Sequence, residues 1–182
     1  MEVKVSIRGP SKKTIKVFLL CALTLTVVVA GATIYIARRT RGLSDPFPAT
    51  MRQQAGTQLY YPLHLPTGYH LAQKAIDQPE KGVTILTIED TKGRKIFMSQ
   101  EALPRTVSPD IFYRNFQKAT KFSTPNGSAI VGTVEDKKRG QTQKLGSLTS
   151  NDKKKTWVLM NTSTSTPTDD LKFILQQLTP SK

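Results

Sequence analysis

From Val17 to Ala37 the chain carries no charged side chain. At the helical rise of 1.5 Å per residue that stretch is roughly 31 Å long, the thickness of a bilayer's hydrocarbon core. It reads as a transmembrane helix over residues 15–37, because a helix satisfies its own backbone hydrogen bonds in lipid. Lys4, Arg8, Lys12, Lys13 and Lys16 precede it, and Arg38, Arg39 and Arg41 follow. The positive-inside rule then makes residues 1–14 a cytoplasmic stub. The expected localisation is the cell membrane, single-pass, with the N-terminus cytoplasmic and the C-terminal domain extracytoplasmic.

Ala30, Gly31 and Ala32 would suit a signal peptidase, but Thr33, Ile34, Tyr35, Ile36 and Ala37 extend the apolar run past that cut. A signal peptide's apolar region is roughly 7 to 15 residues, so a retained anchor is expected. Cys21 follows Leu20 and lies well inside the run, the wrong place for a lipoprotein cysteine. As the only Cys, it permits neither an intramolecular disulfide nor a Cys-based zinc site.

The chain holds 27 basic and 13 acidic residues; setting aside the five basic residues and Glu2 ahead of the anchor leaves 22 against 12, or about +10 for the outer part. Such a field attracts polyanions, whether DNA, an anionic envelope polymer or lipid headgroups. Lys137, Lys138 and Arg139 fall in one expected loop and Lys153, Lys154 and Lys155 in the next. Successive turns of an antiparallel meander lie at opposite ends of the strands, so the two runs should not form one patch. Few aromatics are interleaved with them, which argues against specific nucleic-acid recognition.

Residues 38–56 are polar, basic and interrupted by Pro46 and Pro48, and read as a linker. Residues 57–182 then form one extracytoplasmic domain. Its opening, Tyr60 to Tyr69, contains Pro66 and Gly68 at the spacing of positions i+1 and i+3 of a type I turn. Val83 to Glu89 and Lys95 to Gln100 predict a hairpin around Gly93. Ser108, Pro109 and Asp110 predict a helix from Pro109 to about Lys118, with Phe112 and Phe116 on its buried face. Strands follow at Ala129 to Glu135, Lys144 to Ser150 and Thr156 to Thr162. A last helix is capped by Thr166, with Leu171, Ile174, Leu175 and Leu178 forming one apolar stripe. The order β-β-α-β-β-β-α predicts an α+β domain, an antiparallel sheet with one solvent-facing side and both helices on the other.

The opening Tyr61-Pro62-x-x-Leu65-Pro66-x-Gly68-Tyr69, the strand Ile96 to Gln100 and the late Thr156-Trp157-Val158-Leu159 before a final amphipathic helix resemble an uncharacterised bacterial extracytoplasmic domain family. That domain of unknown function occurs on membrane-anchored envelope proteins, some of which carry a cytoplasmic anti-sigma module. The stub here has no His or Cys, so the zinc-binding anti-sigma module is missing. The resemblance implies an envelope location and a binding or sensing role, and it brings no catalytic residues. It also implies that the sequons at Asn126 and Asn161 are idle.

His64 and His70 are the only imidazoles, and no nucleophile or zinc motif surrounds them. The pairs Glu89-Asp90, Glu135-Asp136 and Asp169-Asp170 occupy expected turns or a helix's first turn, which already accounts for them. No cofactor or metal site is expected, and an unrecognised hydrolase is the weaker alternative to a non-catalytic protein. Trp157 is expected in the core or as a ligand-facing aromatic on the open sheet side. Tyr60, Tyr61 and Tyr69 pose the same choice between packing and a binding surface.

Overall fold

The computed structural model describes residues 42–182 apart from Arg105, Val107, Lys137, Lys138, Arg139 and Lys154. The expected stub 1–14 and transmembrane helix 15–37 lie outside the described residues. No helix among the described residues is long and apolar enough to cross a membrane.

The described chain is a small, sheet-rich domain with antiparallel sheets and a few helices. In chain order the elements are α1 (Ala49–Gln54), β1 (Tyr60–Pro62), β2 (Tyr69–Glu80), β3 (Val83–Asp90), β4 (Lys95–Ala102), α2 (Pro109–Tyr113), β5 (Gln117–Thr124), β6 (Gly127–Asp136), β7 (Gln141–Ser150), β8 (Thr156–Thr162), α3 (Thr168–Gln176) and β9 (Leu178–Pro180). Seven strands form one sheet in the order β2-β3-β4-β8-β7-β6-β5, and β1 pairs with β9 in a second, two-stranded sheet. Every pairing is antiparallel.

Strict alternation builds the centre of the large sheet. Leu86 and Ile88 of β3, Ile96 and Met98 of β4, and Val158 and Met160 of β8 are fully buried on one face, here called the inner face. Leu148 of β7 and Val131 of β6 continue it. Over it lie Leu171, Ile174 and Leu175 of α3, with Leu178, Leu59, Tyr60 and Phe47 completing the core. Gly146 lets α3 come close, since a Cβ there would meet Met160 Cε at 2.8 Å and Leu175 Cδ1 at 3.2 Å.

Several expectations are corrected. The helix expected from Pro109 to Lys118 is five residues long, and Gln117–Thr124 is instead an edge strand. β4 and β5 run parallel within the sheet, and parallel strands need a crossover, which α2 supplies. That crossover passes over the outer face: Tyr113 of α2 reaches Ser147 and Thr149, which alternate with the inner Gly146 and Leu148. The two expected helices, now α2 and α3, therefore lie on opposite faces, not together. The second correction is the linker over 38–56. From Leu43 the chain is packed: Phe47 and Ala55 are buried, Leu43 N donates to Leu63 O, and Asp45 accepts from Ser181 Oγ. Third, the Pro-Gly turn closes from Pro66 O to Tyr69 N, which puts Gly68 at i+2 with φ 87°. That left-handed position needs Gly, as in a type II turn. Finally, Leu178 is buried but belongs to β9, two residues past the end of α3.

Because Leu175 is fully buried against the sheet, Leu175→Ala should cost about 2 to 5 kcal/mol, a large share of a small domain's roughly 5 to 15 kcal/mol. A thermal melt of the variant should fall well below that of the parent. An unchanged melting temperature would mean that α3 is not docked.

Candidate binding face

The outer face of the large sheet is covered on one half only. Over β6 and β7, α2 and the turn after it place Phe112, Tyr113 and Phe116 against Ile130 and Leu145. Trp157 stands edge-on to Phe112, with ring centres 5.2 Å apart, and its Nε1 donates to Ser147 Oγ at 2.8 Å. The indole is thus half-buried beneath α2, where an apolar body and a satisfied N–H suit it.

The other half stays open. Across β3, β4 and β8 the outward residues line up as Ile85, Ser99 and Leu159 in one row, and Thr87, Phe97 and Asn161 in the next. Phe97 is 47% exposed. At one end of this half, a groove of about 500 Å³ is lined by Lys95, Phe97, Gln141, Thr142, Gln143, Asn161, Thr162, Ser163 and Thr164. That volume falls in the roughly 300 to 1,000 Å³ range of small-molecule sites. Thr162 is committed inward, donating to Lys95 O and bonding Thr166 Oγ1.

The aromatics singled out from the sequence do not converge. Tyr60 is buried beneath the inner face and donates its hydroxyl to Asp152 Oδ2, while Tyr69 donates to Asp170 Oδ2 at the start of α3. Burial, reinforced by those carboxylates, pushes each phenol up to about 12. Tyr61 is half-buried and packs on the core. Trp157 alone reaches the outer face.

The charged candidates separate as well. Asp136 pairs with Gln141 at one end of the sheet, whereas Ser150 and Thr156 flank the next loop at the other. Lys153 and Lys155 are exposed at that second end; Lys137, Lys138, Arg139 and Lys154 lie outside the described residues. Of the acidic pairs, Asp90 and Asp170 make structural contacts. Asp90 accepts from the amides of Lys92 and Arg94 and from Arg94 Nε at 2.5 Å, stapling the β3–β4 hairpin. Burial alone would raise the Asp90 pKa, but those amides and the guanidinium outweigh it and hold the carboxyl below its ordinary value. Arg94 Nη1 goes on to Ser165 O, tying the hairpin to the approach to α3. His64 is half-buried and His70 exposed, opposite Glu89 on β3. Among the described residues, no group of His, Cys, Asp and Glu converges to hold a metal.

Phe97, Gln143 and Asn161 escaped the sequence reading, although a signal was present. In Ile96-Phe97-Met98 three large apolar residues are consecutive, and a strand can bury only alternate ones on one face. With Ile96 and Met98 inward, Phe97 must point out.

No family model, no curated protein and no solved structure matches the chain.

The placement of the basic loops generates a test. A variant with Lys153, Lys154 and Lys155 replaced by Gln should bind duplex DNA and anionic vesicles more weakly than the parent, but only partly so. Binding of both proteins should be weak and fall with rising salt. Complete loss on removing this one run, or tight binding that survives high salt, would contradict a distributed charge.

Proposed function

We propose that the chain is a single-pass membrane protein of the bacterial envelope, with its N-terminus in the cytoplasm and a non-catalytic binding or sensing domain outside it. The observation that carries this reading is the charge-free run from Val17 to Ala37, followed after Arg38 to Gly42 by Leu43, the first of the described residues that is hydrogen-bonded into the domain. A run of that length is suited to a bilayer, and the flanking charge favours this orientation. The outer face supports binding, because a rigid sheet presents Phe97 exposed, beside the half-buried Ile85 and Leu159, at no ordering cost. The absence of catalysis is inferred from chemistry: the hydroxyls and carboxylates with resolved partners are engaged in a turn and in docking one part of the fold on another. The envelope location follows the resemblance of Tyr61 to Tyr69 and Thr156 to Leu159, to which the comparisons add nothing.

A second reading, a basic module that binds polyanions, is favoured by the charge of about +10 beyond the anchor. Salt separates the two, since binding by net charge weakens steeply as ionic strength rises and recognition in a groove does not.

Protease added to intact cells or spheroplasts should digest residues 57–182 while the N-terminus stays protected. The protein should retain its Met1 end and stay with the membrane through carbonate extraction. Full protection of residues 57–182, or a mature N-terminus at Thr33, would contradict the proposal.

A further inference from the structure

The groove beside Phe97 combines features that bear on what it takes. Phe97 and Asn161 are directly opposite each other on β4 and β8, and Gln143 lies on the neighbouring β7. The amides of Gln141, Gln143 and Asn161 have no hydrogen-bond partner among the described residues. Each therefore offers an N–H donor pair and a carbonyl acceptor to a ligand. Phe97 stands among them with its side chain half out of the sheet, fixed by a central strand and therefore ordered before any ligand arrives. Lys95 is the one charged residue of the lining among the described residues; Glu89, opposite it on β3, lies outside the lining and makes no ion pair with it.

We propose that this groove binds a short segment of an acidic oligosaccharide. The inference rests on the reading of the domain as an extracytoplasmic binding module and names its ligand class. A pyranose has an apolar face of C–H groups, each slightly positive, which suits the negative face of a phenyl ring. Its rim of vicinal hydroxyls donates and accepts at once, which a side-chain amide matches and a carboxylate or ammonium does not. Lys95 supplies a single positive charge, enough to select a sugar carboxylate. The single phenyl ring is too little for a single-stranded nucleic acid, which takes several stacking rings. The absence of acid from the lining disfavours a cationic ligand.

The test uses the full chain in mild detergent, with a tetrasaccharide of alternating glucuronate and N-acetylglucosamine as probe and cellotetraose as the neutral control. Binding is followed by titration calorimetry and ligand-observed NMR. The acidic tetrasaccharide should bind better than the neutral one. Phe97→Ala should weaken it about tenfold. Asn161→Ala should weaken it as well, which keeps the test decisive if Phe97→Ala proves to melt early. Lys95→Gln should narrow the gap between the two sugars without abolishing either. Replacing Lys153, Lys154 and Lys155 by Gln should leave the affinity unchanged, because that loop is at the other end of the sheet.

No binding of either sugar at about 10 mM, where even an affinity of about 1 mM would register, would overturn the proposal. So would binding that neither Phe97→Ala nor Asn161→Ala diminishes. The two layers of the reading fail separately. A domain digested from outside the cell but indifferent to sugars keeps its place and loses this ligand; a sugar-binding domain shielded inside the cell loses its place and keeps the ligand.

Discussion

One buried amide joins the two layers of this domain. Gln100 of β4 is fully buried, and its side chain accepts from Tyr60 N at 2.7 Å while donating to Tyr60 O at 2.9 Å. The side chain thus does for β1 what a neighbouring strand would do, and it fixes the two-stranded layer over the inner face of the seven-stranded sheet. Losing it would leave a buried backbone donor and acceptor unpaired, at about 1 to 3 kcal/mol each. Beside it, Thr57 and Thr156 share a hydrogen bond, and Asp152 accepts from Tyr60, Ser150 and Thr156. The segments that begin and end the described domain then clamp each other. Ser181 N donates to Leu59 O, and Asp45 gathers Ser181 Oγ, Lys182 N and Arg52. Burial would raise the Asp45 pKa, but these donors prevail and lower it. A depressed carboxylate contributes stability above its unfolded pKa, roughly 4, and loses it as pH falls through the folded value. The clamp is therefore intact at neutral pH and loosens in acid.

From that docking the asymmetry of the sheet follows. α3, β1, β9 and the segment from Leu43 crowd onto the inner face, so among the described residues the outer face receives α2 and the turn after it. Those few residues cover β6, β7 and Trp157, and they run out before β4 and β3. The open rows through Phe97 and Leu159 are thus a consequence of where the crossover between β4 and β5 lies. A binding role needs a face of this kind, held rigid from behind by a core that does not change with the ligand.

The central strands were legible because burial on one face imprints a period of two: Val83 to Asp90, Lys95 to Ala102 and Thr156 to Thr162 match their expected spans to within two residues. The edge strands were not. In β2 and β5 every residue is exposed or half-buried, so Leu71 to Glu80 and Gln117 to Thr124 show no alternation; the first receives no element from the sequence and the second only the end of the expected helix. Composition misled at the N-terminal boundary, where prolines and charge around Phe47 suggested a linker; Phe47 and Ala55 are buried by long-range contacts that no local pattern encodes. The face chosen by α2 follows from strand order, which becomes visible only when β8 is seen to insert beside β4. Of the candidate site, Trp157 was noticed but its cover of aromatic rings was not. Phe97 and the amides around it come from three strands, β4, β7 and β8, that only the fold brings together.

Hydrogen exchange on the full chain, resolved by segment, tests the central claim most directly. The account expects Leu43 to Pro62 and Leu178 to Ser181 to exchange together and far more slowly than open chain, as one layer fixed to β4. In a Gln100→Leu variant both segments should exchange faster together, while β6 and β7 remain slow. If Leu43 to Pro62 exchanges at the rate of unstructured chain in the parent protein, or if Gln100→Leu leaves both segments as slow as before, the layer does not depend on that amide and the account fails.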